Sequence, residues 1–272
     1  MRITFIGGGH MATSLVGGLR ARDVPGSDIT VADPVTAQRE KLRDEFAVRV
    51  TDDNSAAVRD ADVIVLAVKP QEMATVARGI ASGLAARRRV VVSIAAGIRL
   101  QDLARWLGAN VPLVRTMPNR PALIGAGITA LYADTTVTPS ERQSVEAILG
   151  ACGATVWVET EEQLDVVTAV SGSGPAYFFL LVEALETAGI QLGLAPDTAR
   201  RLAVETARGA GRMAAESSDS PAALRAQVTS QGGTTAAALQ VLESAGMRAI
   251  FGAAVAAAAR RSAELARQFG GD

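Results

Sequence analysis

The chain has 272 residues, of which 49% are hydrophobic and 20% are charged, so it is long and apolar enough to fold around a sizeable core. Its net charge of −1, without a basic excess, argues against a nucleic acid or a membrane surface as a partner. The single cysteine, Cys152, excludes an intrachain disulfide and fits a cytoplasmic location, and the single histidine, His10, argues against a histidine-based triad or a histidine-rich metal site.

Short apolar runs in the first part of the chain predict strands at 3–6, 29–32, 63–68, 90–94, 111–115, 128–132 and 154–158. Apolar residues at helical spacing separate the early runs, at 11–21, 35–46 and 71–86. Continuous apolar strands that alternate with helices are typical of a parallel sheet with both faces covered.

The pattern changes at about residue 160, after which Ala, Leu, Glu and Arg recur in long helical stretches. We therefore predict an α/β domain over 1–160 and an all-helical domain over 161–272. The longest uncharged stretch, 166–182, is interrupted by Ser-Gly-Ser-Gly-Pro, so the sequence predicts no membrane span of about 20 continuous apolar residues.

The first strand runs into residues 7–12, whose sequence Gly-Gly-Gly-His-Met-Ala is a G-x-G-x-x-A motif between a strand and a helix. Gly7 permits the tight turn, Gly9 lets the backbone approach a pyrophosphate, and Ala12 keeps the helix close to the strand. The helix N-terminus offers N–H groups and a positive dipole end to phosphates. We predict a dinucleotide here; the alternative is a glycine-rich turn without a ligand.

Asp33 ends the second predicted strand, where an acidic residue commonly binds the ribose hydroxyls and favours NAD over NADP. Arg39 and Lys41 follow within one helix and are candidates for binding a 2′-phosphate instead. Asp33 also precedes Pro34, which favours a helix N-cap. The cap and the ribose contact are compatible, and the sequence leaves the choice between NADPH and NADH open.

Lys69 follows the strand predicted at 63–68 and precedes Pro70. Only Lys41 and Lys69 are lysines among the 27 basic residues. A lysine at the carboxyl end of a parallel strand, where ligands bind, indicates a role that a guanidinium does not fill. The alternative is a solvated strand end.

Three further segments are not explained by core packing: 115–121 after a strand, 171–177 within a helical stretch, and 228–235 at the start of a helix. The glycines and proline of 171–177 should kink a helix and free backbone groups, although a close helix crossing uses the same residues. The amides and hydroxyls of residues 230–235 suit a carboxylate, although a plain helix N-cap has the same sequence.

The order of these motifs resembles that of pyrroline-5-carboxylate reductases from the N-terminus to near the C-terminus. The resemblance rests on G-x-G-x-x-A, Val-Lys-Pro, Met-Pro-Asn-x-Pro, Ser-Gly-Ser-Gly-Pro-Ala-Tyr and Ser-x-Gly-Gly-Thr-Thr. It implies a Rossmann-like dinucleotide-binding domain followed by a helical substrate-binding and dimerisation domain, with active sites at a homodimer interface. Larger rings of dimers are known in the family.

The resemblance, with the motif analysis, assigns the cofactor contacts to Gly7, Gly9, His10, Met11, Ala12, Asp33, Asn54, Lys69, Pro70, Met117 and Asn119. It assigns the substrate contacts to Ser171, Ser230, Gly232, Gly233 and Thr234. It places the hydroxyl of Thr235 near the ring nitrogen of the substrate, as the catalytic group. Three positions depart from the family pattern: Gln231 replaces a proline, Arg120 a threonine and His10 an asparagine.

The reaction implied is hydride transfer from NADPH, or NADH, to 1-pyrroline-5-carboxylate, which forms L-proline in the last step of proline biosynthesis. A protonated imine is already electrophilic, so the reaction needs no strong acid or nucleophile, and positioning supplies much of the rate. A reductase of another cyclic imine and a dinucleotide sensor without turnover are the alternatives. A β-hydroxyacid dehydrogenase would need a lysine in its helical domain, where this chain has none.

Overall fold

A computed structural model describes residues 1–85, 87–108 and 110–271. The chain forms two compact units: Met1–Gly172 with the residues from Ala257 onward, and Ser173–Ala256. By its internal contacts, the first unit continues past residue 160 to Gly172, because a short helix after residue 160 and the end of the last helix belong to it. Residue 86, where one helix is predicted to end, and residue 272, the end of the second predicted domain, lie outside the described residues.

One eight-stranded sheet forms the centre of the first unit, in the order β3-β2-β1-β4-β5-β6-β7-β8. The strands are β1 Ile3–Ile6, β2 Ile29–Ala32, β3 Arg49–Thr51, β4 Val63–Leu66, β5 Val90–Ser93, β6 Leu113–Met117, β7 Gly127–Ala133 and β8 Gly153–Trp157. Every residue of β1, β4 and β5 is buried, as expected for strands covered on both faces.

The sheet differs from the sequence prediction in two places. β6 and β7 pair antiparallel, whereas all other neighbouring strands are parallel. The link between them, 118–126, is shorter than the roughly dozen residues that a parallel crossover needs, so the chain turns back. The second difference is β3, a short strand paired with β2 that the sequence analysis missed.

Six helices of the first unit connect the strands: α1 His10–Arg20, α2 Thr36–Phe46, α3 Asn54–Arg59, α4 Pro70–Leu84, α5 Leu100–Leu107 and α6 Pro139–Leu149. α1 buries Ala12, Leu15, Val16 and Leu19, a spacing that places one face of the helix on the sheet. Short 3₁₀ turns occur at Gly26–Asp28, Arg120–Ile124 and Gly150–Cys152.

The rest of the chain is helical in its described part. Its helices are α7 Gln163–Val167, α8 Gly174–Gln191, α9 Pro196–Glu216, α10 Pro221–Gln227, α11 Thr234–Ser244 and α12 Met247–Gly270. A single π turn, Thr168–Gly172, connects α7 to the segment before α8. The prolines near the starts of α8, α9 and α10 lie in the first turn, where a missing N–H costs nothing, so they begin helices and do not break them.

α8 leaves an unusual amount of apolar surface exposed. Phe178, Phe179 and Leu180 are each about two-thirds exposed, and Leu192 after the helix is 88% exposed. By length and composition alone, Gln163–Gln191 is apolar enough to cross a membrane, and α11 with α12, bent by 53°, passes the same test. The expectation of no span assumed a broken helix at 171–177, whereas the chain stays helical through the π turn. Exposed apolar patches of this kind mark protein–protein or membrane contacts.

A buried ionic cluster connects α7 and the end of α12 to the sheet. Arg115 in β6 is 2% exposed, and its Nη1 lies 3.0 Å from Oε1 of Glu161. Asp165 in α7 pairs with Arg99, lies 3.8 Å from Nη2 of Arg115, and accepts a 2.8 Å hydrogen bond from the hydroxyl of Ser262 in α12. Burial lowers the pKa of the Arg115 guanidinium, and the charge of Glu161 opposes that shift. Arg115 therefore has a structural role.

Asp165→Ala should lower the free energy of unfolding by about 3 kcal/mol, because it leaves buried arginine charge without its carboxylate partner. Glu216→Ala is the control, since it breaks the exposed Arg212–Glu216 pair and should change stability by less than about 0.5 kcal/mol. Denaturant unfolding at one fixed protein concentration measures both. Equal effects of the two substitutions would contradict a stabilising role for the cluster.

Candidate active site

A cleft of about 560 Å³ lies at the carboxyl ends of β1, β2 and β4. The chain passes from β1 to β2 on one side and from β3 back to β4 on the other, so this is the point at which the strand order reverses. Open α/β sheets bind ligands at such points. The predicted cofactor residues that line the cleft are Gly7, Gly9, Asp33, Asn54 and Lys69.

Gly7 and Gly9 have different reasons for being glycine. Gly7 has φ +97°, and a Cβ there would lie 2.7 Å from the carbonyl oxygen of Ala67, so the fold itself requires glycine. Gly9 has ordinary backbone angles as the N-cap of α1, and a Cβ there would meet nothing within 4 Å. Its lack of a side chain leaves space for a ligand at the helix N-terminus.

The other residues of the motif divide between core and surface. Ala12 is 1% exposed and brings α1 close to the sheet, as predicted. Met11 is partly buried and packs against the core. His10, the first residue of α1, is exposed at the mouth of the turn.

Asp33 has its carboxylate fixed by the backbone. Oδ2 accepts a hydrogen bond from Gly8 N and Oδ1 accepts one from Val35 N, both at 2.8 Å. The N-cap of α2 is Val35, so Asp33 orders the loop before the helix and does not cap it. Arg39 donates to the carbonyl oxygens of Asp33 and Pro34, and it is not among the residues that line the cleft.

Asn54 and Lys69 each start a helix at the edge of the cleft. Asp53 caps α3 by accepting a hydrogen bond from Ala56 N, which makes Asn54 the first helical residue. Lys69 is the N-cap of α4, and Pro70 occupies the first turn. Pro70 therefore shapes the start of α4 and does not line the cleft.

Asn119 connects the loop after β6 to the π turn. It is 9% exposed, its Nδ2 donates to the carbonyl oxygen of Ser171 at 3.1 Å, and its Oδ1 accepts from Ile128 N at 3.0 Å. Gly172 lies against Met117, whose Cε would be 2.6 Å from a Cβ at that position. The structure thus brings Met117, Asn119 and Ser171 together, with Asn119 as a positioning group; its contact with the cofactor stays a prediction.

The turn before α11 exposes backbone and hydroxyl groups. Gly233 N donates to Ser230 O at 3.1 Å, and Gly232 has φ +72°. A Cβ on Gly233, the N-cap of α11, would lie 2.5 Å from the Ser230 hydroxyl, so a side chain there would displace that hydroxyl. Thr234 and Thr235 are the first helical residues, and α11 has no side-chain cap. The free N–H groups of its first turn suit an anion.

Four polar residues of the cleft were missed by the sequence analysis: Asp52, Gln71, Glu72 and Thr75. Asp52 directly follows β3, and the failure to predict that strand hid the position. Gln71 and Glu72 lie in the first turn of α4, which begins after Lys69, and Thr75 lies in its second turn. Ligands bind at the carboxyl ends of parallel strands, which is why Lys69 was a candidate, and Gln71 and Glu72 lie close to the same strand end.

Known proteins that resemble this chain agree in family and fold. Residues 161–265 match the family model for pyrroline-5-carboxylate reductase dimerisation, and residues 2–97 match the model named NADP oxidoreductase coenzyme F420-dependent. A pyrroline-5-carboxylate reductase of Pseudomonas aeruginosa is 49% identical over 269 residues, which cover 99% of this chain and 98% of that protein.

Two solved pyrroline-5-carboxylate reductases share the fold over nearly the full length. The Coxiella burnetii structure has a TM-score of 0.95 at 41% identity and covers 97% of this chain and 98% of its own. The Plasmodium falciparum structure, solved with NADP bound, has a TM-score of 0.84 at 27% identity and covers 98% of each chain. The prediction of a Rossmann-like domain followed by a helical dimerisation domain is confirmed, and the chain belongs to the pyrroline-5-carboxylate reductase family.

Proposed function

We propose that this chain reduces 1-pyrroline-5-carboxylate to L-proline with a reduced nicotinamide dinucleotide, NADPH or NADH, in the last step of proline biosynthesis. The observation that carries the proposal is the presence, in one chain, of a dinucleotide cleft and of a hydroxyl-rich glycine turn at a helix N-terminus. A cofactor-binding sensor would need the cleft and not the turn. The names of the relatives support the same reaction.

The residues of the cleft fit a dinucleotide. The Gly9 backbone and the N–H groups at the start of α1 would hold the pyrophosphate. Asp33 and Asn54 would hold the adenosine end, and Lys69 would lie towards the nicotinamide. When bound, the dihydronicotinamide supplies a hydride.

The turn at 230–235 would bind the substrate carboxylate through its backbone N–H groups and the hydroxyls of Ser230 and Thr234. Ser171 would contact the same substrate. Thr235 would hold the ring nitrogen through its hydroxyl and keep the proton on that nitrogen while C5 receives the hydride. The C=N double bond becomes a single bond, and the nitrogen retains the proton, which balances the reaction.

This arrangement relies on positioning. Within the described residues, the single histidine, His10, lies at the dinucleotide turn, and the single cysteine, Cys152, is buried and donates to the carbonyl oxygen of Ser14. Neither is in the turn at 230–235. Because a protonated imine accepts a hydride directly, orientation of the two reactants supplies the main part of the rate.

The assembly we propose is a soluble cytoplasmic homodimer, formed through the helical domain 161–272, with rings of dimers as a larger form. The support is the exposed apolar surface of α8, including Phe178 and Phe179, within the segment that matches a dimerisation model. A second copy of the chain, and not lipid or nucleic acid, would cover that surface.

The first experiment follows the absorbance of NADPH and of NADH when purified protein meets 1-pyrroline-5-carboxylate. Rapid substrate-dependent oxidation is expected. A six-membered cyclic imine carboxylate is the comparison substrate, since it tests ring size with the same charged groups. If the protein binds a coenzyme but no imine causes its oxidation, the result would favour a dinucleotide sensor without turnover.

Gly9→Ala should weaken coenzyme binding at least about tenfold, since the new methyl group occupies the space of the pyrophosphate. Its stability without ligand should stay within about 1 kcal/mol of the wild type, because φ at Gly9 is ordinary. Gly7→Ala is the contrasting variant, which should lose about 2 kcal/mol or more of stability. Coenzyme titration and denaturant unfolding measure the two effects. Normal coenzyme affinity in folded Gly9→Ala would refute the pyrophosphate assignment.

Thr235→Ala should lower kcat about 10- to 100-fold, because the hydroxyl acts on the nitrogen that changes its bonding. Thr234→Ala is the matched neighbour and should mainly raise KM for the imine, about tenfold, through loss of a hydrogen bond to the carboxylate. Steady-state kinetics separates kcat from KM, and coenzyme affinity should stay the same in both. Full turnover by Thr235→Ala would exclude its catalytic role.

A further inference from the structure

The carbonyl group of Gly8 is held by two side chains that the motif analysis did not identify. The hydroxyl of Thr13 in α1 donates to Gly8 O at 3.1 Å, and the side-chain amide of Gln38 in α2 donates to the same oxygen. Gln38 Nε2 also donates to the Thr13 hydroxyl at 3.3 Å. A carbonyl oxygen has two lone pairs, so Gly8 O receives its full set of hydrogen bonds from these two helices.

The position of this oxygen fixes the direction of the next N–H group. The peptide bond between Gly8 and Gly9 is trans, and in a planar trans peptide the carbonyl and the N–H point in opposite directions. The N–H of Gly9 therefore points away from Thr13 and Gln38. Gly9 lines the cleft, and among the described residues its N–H has no hydrogen-bond acceptor. This N–H is thus available to a ligand.

A peptide bond between two glycines needs side-chain support to keep one orientation. Its rotation changes ψ of Gly8 and φ of Gly9, and glycine meets little steric resistance at either angle because it lacks a Cβ. Asp33 accepts from Gly8 N at 2.8 Å, but that N–H belongs to the preceding peptide bond. Thr13 and Gln38 are therefore the side chains that hold the peptide between Gly8 and Gly9.

We propose that Gln38, together with Thr13, is a positioning residue for the coenzyme, because it keeps the N–H of Gly9 available to the pyrophosphate. The inference rests on the proposed dinucleotide-dependent reduction. Both side chains are half-buried and neither lines the cleft, so they act on the coenzyme through Gly8. Without them the Gly8 carbonyl can turn towards the phosphates, and the partial negative charge of its oxygen opposes their binding.

The test is a fluorescence titration of the full chain with NADPH, without imine, so that binding is measured independently of turnover. Gln38→Met keeps the Cγ that lies beside Gly8 but removes the amide donor, and Thr13→Val removes the hydroxyl with little change of shape. Each should raise the dissociation constant about fivefold, and the two together more than about tenfold. Gln101→Met, at an exposed position of α5 outside the cleft, is the matched control and should leave the affinity unchanged.

Steady-state kinetics separates positioning of the coenzyme from a general loss of structure. Gln38→Met should raise KM for NADPH and leave KM for the imine unchanged. Thr13→Val acts on the same oxygen from the other helix, so the test does not depend on the folding of one variant. Wild-type affinity for NADPH in the folded variants would overturn the inference while leaving the proposed reduction intact. Failure of the wild-type protein to bind NADPH or NADH would overturn the proposed reduction and the inference together.

Discussion

At the carboxyl end of β1 the backbone packs closely against β2 and β4, and the proposed cofactor cleft depends on this constraint. Gly7 N donates to Ala32 O at 2.7 Å, and Ala67 N donates to Ile6 O at 2.8 Å, so the chain is held to β2 and β4 as it leaves the sheet. No side chain fits at residue 7 in that position. The turn is therefore held between two strands, and α1 starts directly after Gly9, which lines the cleft. Asp33, bound to Gly8 N, belongs to the same closed arrangement.

A second constraint holds the first helical segments after the sheet. Asp165 in α7 accepts from Ser262 in α12, while Arg99 and Arg115 neutralise its charge, so two distant parts of the chain are joined at one buried carboxylate. Asn119 then holds the π turn a few residues further on. π turns arise where an extra residue is accommodated in a helix and often occur at functional sites. The proposed substrate contact Ser171 is in this turn, and the side-chain amide of Asn119 holds its carbonyl oxygen.

The strands of the parallel sheet were predictable because burial on both faces leaves a continuous apolar run in the sequence. β3 was not, since its three residues, Arg-Val-Thr, carry only one large apolar side chain. The cluster around Asp165 was not predictable either, because its members are far apart in the chain and periodicity says nothing about long-range charge pairs. In the candidate site, turn chemistry identified Gly7, Gly9 and residues 230–235, whereas Asp52 depended on the missed strand.

The turn at 230–235 shows what one departure from the family pattern does physically. Gly233 N bonds to Ser230 O, and Gly232 has positive φ in the third position, so Gln231 occupies the second position of a tight turn. Proline is favoured at that position of a turn, and its fixed φ reduces the conformational freedom of the unbound loop. Glutamine leaves the hydrogen bond of the turn unchanged, since Gly233 N and Ser230 O form it without Gln231 N. Glutamine also gives the unbound loop more conformational entropy, which binding of a carboxylate would reduce. If the turn binds the substrate carboxylate as proposed, the departure would act on substrate affinity and would leave the hydroxyl proposed for catalysis, that of Thr235, in place.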